Sequence, residues 1–139
     1  KVHSPIVTPG EADAVVGLEK LEALRFAHYL NIETGTVLVN DHELVPGSVP
    51  NAESIYPRET IDFLKSKGMR VVALPASQTA RDLGDARMAN VVMLGALSTL
   101  LPIEQEVWEK TLKLRIPAKY LDGNLKGFES GYDAMQKAI

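Results

Sequence analysis

The chain has 139 residues, 45% of them apolar and 24% charged, with a mean hydropathy of −0.03. That composition excludes wholesale disorder, a collagen-like repeat and a coiled-coil rod, and a chain of this length usually makes one domain that buries a core without disulfides or metal. Fifteen basic against eighteen acidic residues leave a net charge of −3, which carries neither a nucleic-acid footprint nor a polybasic membrane patch. Residues 1–139 are accordingly expected to form a single domain.

Turn signals divide the chain into short strands and longer helices. Val2–Val7 is a candidate strand closed by Thr8-Pro9-Gly10, and Ala14–Leu18 is a short apolar run of the buried-strand kind. Lys20–Leu30 reads as a helix with Ala23, Phe26, Ala27 and Leu30 on one face, and His28 as a partly buried member of it or a base. Gly35 punctuates before the strand Thr36–Val39. Pro46, Gly47 and Pro50 then mark an irregular loop from Asn40 to Tyr56, with a short extended piece at Leu44-Val45. Pro57 suits the first turn of a helix over Arg58–Lys67, whose apolar side is Ile61, Phe63 and Leu64 and whose stop is Gly68. Arg70–Leu74 is the next strand, and Ser77 is placed to cap a short helix ending at Gly84.

Asp85 is placed to cap a helix to Leu101, where only Ser98 and Thr99 interrupt the apolar run from Val91. A helix apolar nearly all round is buried inside a domain or in a subunit interface. Pro102 ends it. Ile103, Val107, Trp108, Thr111 and Leu112 line a face of the following helix, stopped at Pro117. In the last helix Leu121, Leu125, Phe128, Tyr132, Met135 and Ile139 form one apolar stripe. Gly123, Gly127 and Gly131 form a second, narrower one, which reads either as a surface for close backbone approach, hence a candidate interface, or as a late start or a break in the helix. The alternation of strands and helices predicts an α/β fold, a three-layer αβα arrangement around a mostly parallel sheet.

Cysteine is absent, which excludes a disulfide framework, a thiolate nucleophile, and any iron–sulfur or zinc site held by this chain's own thiolates. No signal-peptide pattern opens the chain, and its first residue, Lys1, suggests processing or trimming. The longest apolar run is far short of the roughly 20 residues that span a bilayer. A soluble, cytoplasmic protein is the expectation.

No G-x-G-x-x-G, Walker loop or G-x-S-x-G is present, and His3, His28 and His42 lack metal-ligand spacing. The polar cluster Asn40-Asp41-His42-Glu43 directly follows a strand, where open α/β sheets bind ligands, or it is a solvated turn. Pro75-Ala76-Ser77 also follows a strand and opens a helix, as an anion site or a simple cap. Asn90 opens the most apolar helix segment and calls for a partner, within the chain or across an interface. Asn40, Asp41, Pro75, Ala76, Ser77 and Asn90 are therefore the candidate cleft residues.

Several segments together resemble one family. They are Thr8-Pro9-Gly10-Glu11-Ala12-Asp13 with the strand Ala14–Glu19 and the helix Leu21-Glu22-Ala23-Leu24-Arg25; Gly35-Thr36-Val37-Leu38-Val39-Asn40; Asn90-Val91-Val92-Met93-Leu94-Gly95-Ala96-Leu97; and Ile116-Pro117 with the stretch Asn124–Tyr132. In order, they resemble the gamma-type domain of the 2-oxoacid:ferredoxin oxidoreductases, the small subunits that act on indolepyruvate above all. That family begins with a glycine-rich strand–loop–helix that this sequence lacks, so the chain resembles the later part of a longer domain. The resemblance implies a subunit or domain of an enzyme that oxidatively decarboxylates an arylpyruvate to an acyl-coenzyme A and passes electrons to ferredoxin. Thiamine diphosphate and iron–sulfur clusters would then sit in a large partner subunit, with none held by this chain, which would be inactive alone. A homo-oligomer is a further expectation. A stand-alone small-molecule-binding α/β protein and a purely structural interaction domain are the competing readings.

Overall fold

A computed structural model describes residues 6–45 and 47–139. Contacts divide the chain into two compact units, Lys1–Ala73 and Leu74–Ile139. The first holds β1 (Ala14–Gly17), α1 (Lys20–Phe26), β2 (Thr36–Asn40), α2 (Ala52–Ile55), α3 (Thr60–Ser66) and β3 (Arg70–Leu74), whose last residue begins the second unit. The second is helical: α4 (Ala76–Asp82), α5 (Ala89–Ser98), α6 (Gln105–Arg115) and α7 (Ala118–Ala138). Of the candidate strand Val2–Val7, residues 2–5 and with them His3 lie outside the described residues, and Ile6 and Val7 are not in a strand.

The fold is α/β, as expected, with a three-stranded parallel sheet in the order β1-β2-β3. Ala14 lies opposite Thr36, and the pairing runs to Gly17 opposite Val39. When parallel strands follow one another across a sheet, right-handed crossovers put their helices on one face. α1 and α3 obey this. Val15, Val37 and Val39 of the sheet pack with Ala23, Ala27 and Leu30 and with Leu64 of α3 in one apolar cluster. Leu38, on the opposite face of β2, is fully buried too, so the central strand is covered on both sides. Gly17 lets α1 approach β1, since a Cβ there would lie 2.5 Å from that of Ala23.

Several boundaries depart from the sequence reading. The helix from Lys20 tightens to a 3-10 turn at Ala27–Tyr29, and of its expected apolar face Ala23, Ala27 and Leu30 are buried in the core, with Leu24 and Tyr29 packed against it. Phe26 is left at the edge, 46% exposed. His28 is exposed, its Nδ1 bonded to the Arg25 carbonyl oxygen. No strand forms at Leu44-Val45. Pro57 precedes α3 rather than opening it; the helix starts at Thr60, whose hydroxyl donates to the Pro57 carbonyl. Gly68 stops the chain after α3 at φ +83°. Ser77 is not a cap, because Pro75 holds that position and its carbonyl accepts from both the amide and the hydroxyl of Thr79. Asp85 does cap, but it caps a 3-10 turn, Ala86–Met88, ahead of α5.

In the second unit α5 and α7 carry the core. α7 is continuous from Ala118 to Ala138, so neither the late start nor the break occurs. Its glycine face is occupied by α5 of the same chain. A Cβ on Gly131 would lie 1.8 Å from the Val92 carbonyl oxygen, and one on Gly95 of α5 would lie 1.9 Å from that of Phe128. Gly127 is looser, 3.6 Å from Val92, and Gly123 faces the Met88 sulfur at 3.1 Å. The candidate interface at Gly123, Gly127 and Gly131 is thus a helix contact inside the chain, and the nearly all-apolar α5 is a core helix.

Candidate functional site

The carboxyl ends of β1 and β2 carry the densest polar network of the first unit. Glu19 follows β1 and caps α1, its Oε1 accepting from the Glu22 amide at 2.6 Å. Its Oε2 accepts from the Tyr56 hydroxyl, also at 2.6 Å, and both residues are buried. Lys20 Nζ sits 2.8 Å from Asp41 Oδ1 and 3.2 Å from Glu43 Oε1. The Arg58 guanidinium bonds to Glu43 and, at 2.7 Å, to Glu53. Charge therefore alternates from Asp41 through Lys20, Glu43 and Arg58 to Glu53, tying Asp41, Glu43 and Glu53 to the residues at the starts of α1 and α3. The Lys20 amide donates to the His42 carbonyl at 3.0 Å and closes the same corner through the backbone.

Glu19, Tyr56 and Lys20 have pKa values displaced from their ordinary ones. Burial opposes the charge on Glu19, but the Tyr56 hydroxyl and the surrounding backbone groups outweigh it and hold the carboxyl below its ordinary value. Burial, then the bond to Glu19, pushes Tyr56 up to about 12. The bond to Asp41, opposed by partial burial and seconded by Glu43, raises Lys20. A general acid or base works best with a pKa near the working pH, and this pair is displaced from neutrality in both directions. The arrangement positions a segment; it is not built to move protons.

Beside it lies an open cleft of about 570 Å³, lined by Leu24, Phe63, Thr60 and Glu59 and sharing Glu53, Tyr56 and Arg58 with the ladder. Its lining mixes apolar side chains with the charged Glu53, Arg58 and Glu59, and Thr60 and Tyr56 are its buried members.

The sequence-derived cleft residues have different surroundings in the structure. Asn40 does not face a cleft: it is 2% exposed, and its Nδ2 donates to the Leu18 carbonyl at 3.0 Å, joining the ends of β1 and β2. It belongs to β2 itself, so its side chain is enclosed with the sheet. Asp41 does join the polar network, through Lys20. Pro75, Ala76 and Ser77 begin α4 in the other unit, with Ala76 fully buried. Asn90 lies in α5 but on its exposed side, so solvent serves its amide and no partner is demanded. Glu19, Lys20, Tyr56 and Arg58 were not singled out from the sequence. For Glu19 and Lys20 a signal existed, two charges between a buried strand and a helix start; for Tyr56 and Arg58, inside a loop, none did.

The donor set does not suit the redox groups of the 2-oxoacid oxidoreductases. The chain offers no thiolate for a cluster. Among the described residues no group of three or more His, Asp or Glu side chains could hold a metal ion. No described helix is long and apolar enough to cross a membrane.

Residues 1–134 match the family described as pyruvate ferredoxin/flavodoxin oxidoreductase. The chain belongs to that family. It is 34% identical to the indolepyruvate oxidoreductase subunit IorB of Archaeoglobus fulgidus across 95% of this chain and 67% of that protein. It is 30% identical to the subunit of the same name from Thermococcus kodakarensis across 99% and 70%. The keto/oxoacid ferredoxin oxidoreductase gamma subunit of Geobacter sulfurreducens superposes with a TM-score of 0.69 at 25% identity, over 95% of this chain and 69% of that one.

Proposed function

We propose that the chain is a gamma-type domain of a 2-oxoacid:ferredoxin oxidoreductase that oxidises an arylpyruvate such as indolepyruvate to an acyl-coenzyme A and delivers the electrons to ferredoxin. The observation that carries this reading is the likeness to the archaeal indolepyruvate oxidoreductase subunits over 95% or more of the chain. Both compact units take part as one domain, since the family match runs through residues 1–134. Thiamine diphosphate and the clusters belong to a large partner subunit, in keeping with the absence of thiolates here. This chain binds and orients, works in the cytoplasm, and does not turn over alone.

The test is co-expression with a thiamine- and cluster-bearing subunit from the same source, followed by assay of ferredoxin reduction with indolepyruvate, ketoisovalerate and pyruvate. Co-purification and turnover that needs both chains support the proposal, with the preferred acid naming the substrate. A chain that never captures such a subunit, or a subunit equally active without it, overturns the proposal. Asp41→Asn and Arg58→Gln address the structural alternative. Altered turnover with intact assembly gives the strand-end corner a part in function beyond scaffolding; unchanged turnover assigns it to scaffolding.

A further inference from the structure

The described part of α6 has two faces of different kinds. Inward, Leu112 is buried and the Trp108 ring lies 6.0 Å from that of Phe128 in α7, which settles how the helix is anchored. Outward, Val107 is 53% and Leu114 80% exposed, two turns apart on one side, with exposed Thr111 between them. Ile103, 43% exposed, extends the same apolar surface ahead of the helix. An aliphatic stripe left in water on a helix already anchored by its other face calls for a partner.

The charges along α6 say which partner. Its first half and the residue before it carry Glu104, Glu106 and Glu109; its second half carries Lys110, Lys113 and Arg115. The helix dipole favours that polarity, but it does not account for the exposed aliphatic residues beside it. Glu106 and Lys113 are seven residues apart and flank the stripe on the same side; Lys113 also pairs with Glu109 of its own helix at 3.4 Å, an exposed contact that leaves further donor protons on its ammonium for a second carboxylate. A helix of this kind is complementary to itself when reversed. In an antiparallel pair about a two-fold axis near Lys110-Thr111, Val107 of one copy meets Leu114 of the other, and Glu106 of each reaches Lys113 of its partner.

We propose that the outward face of α6 joins two copies of this chain in an antiparallel, two-fold pair. The contact is small, one helix of about 16 Å from each side, so it is a reversible association of the weak class rather than an obligate interface. It goes beyond the oxidoreductase reading and does not depend on it.

Sedimentation of the full chain across a concentration series tests it. The wild type should show a reversible monomer–dimer equilibrium. Leu114→Lys should leave only monomer, with its circular dichroism unchanged because the side chain is exposed. Glu106→Lys and Lys113→Glu should each weaken the dimer by about tenfold, since each places like charges together twice. Combining the two restores opposite pairing and should recover the wild-type constant. A wild-type chain that stays monomeric throughout, or a double variant as weak as the singles, overturns the proposal. So does a monomeric chain that loses a cluster-bearing subunit on Leu114→Lys, which would give the face to that subunit instead.

Discussion

Asn40 and Tyr56 show how single polar side chains hold the carboxyl edge of the sheet together. The Asn40 amide is enclosed and donates to Leu18, so Asn40→Ala should cost about 1–3 kcal/mol in chemical denaturation, more than a surface substitution. Tyr56→Phe keeps the ring but strips Glu19 of its hydroxyl donor inside the fold, for a loss of about 2 kcal/mol at neutral pH. The pH dependence has a definite sign. Glu19 is depressed in the folded chain, so its contribution is present above its ordinary 4.5 and is lost as the pH falls through its lower folded value. Tyr56 is raised, so its contribution is present below 10.0 and is lost as the pH rises towards about 12. The stability gap between wild type and Tyr56→Phe should therefore be widest between those two ordinary values and narrow on either side. A gap that is flat across the whole range would contradict the coupling.

At the scale of elements, the contact between α5 and α7 makes the sharpest demand. The Gly131 and Gly95 positions face carbonyl oxygens of the opposite helix, which cannot swing aside as a side chain can. Gly131→Ala and Gly95→Ala should each cost about 3 kcal/mol or more, by forcing the two helices apart. Gly127 has ordinary contact distances to Val92, Met88 and Leu83, so Gly127→Ala should be neutral or gain up to about 1 kcal/mol from helix propensity. Thermal melts of the three variants give the ranking. Equal effects would mean that the helices are not in this register. Gly127→Leu, in turn, acts on folding, because α5 of the same chain already stands where the added bulk must go.

For the whole molecule, the composition and the site point to a chain that contributes surface and orientation to an assembly. The purified chain should be colourless and should not oxidise an arylpyruvate; visible absorbance with stoichiometric iron or flavin would count against the division of labour proposed above. Turnover should appear only with the cluster-bearing subunit present. The α6 pair would then bring two such assemblies together, and its charge-reversal rescue can be read in the complex as well as in the free chain.

Local pattern was enough for the strands and for most of the helical segments. Thr36–Val39 and Arg70–Leu74 are short β-branched runs between turn signals, and each became a strand because the apolar run has no other way to be buried. The order of the matching segments likewise sufficed for the family, since that resemblance lies in the sequence itself. What local pattern does not contain is the partner of each face. The glycines of α7 look the same whether they meet another chain or their own α5, because sequence records that a face is small and not what approaches it. Asn40 looks like a strand-end ligand until β2 extends through it and the Leu18 carbonyl accepts its amide hydrogen bond. Glu19 and Tyr56 are 37 residues apart, and only folding of the 41–56 segment back over the strand ends makes them a pair. Ile103, Val107 and Thr111 were expected on one face with Trp108 and Leu112, but only Trp108 and Leu112 turn inward; their packing against the rest of the unit leaves Ile103, Val107 and Thr111 in water on the side of Leu114.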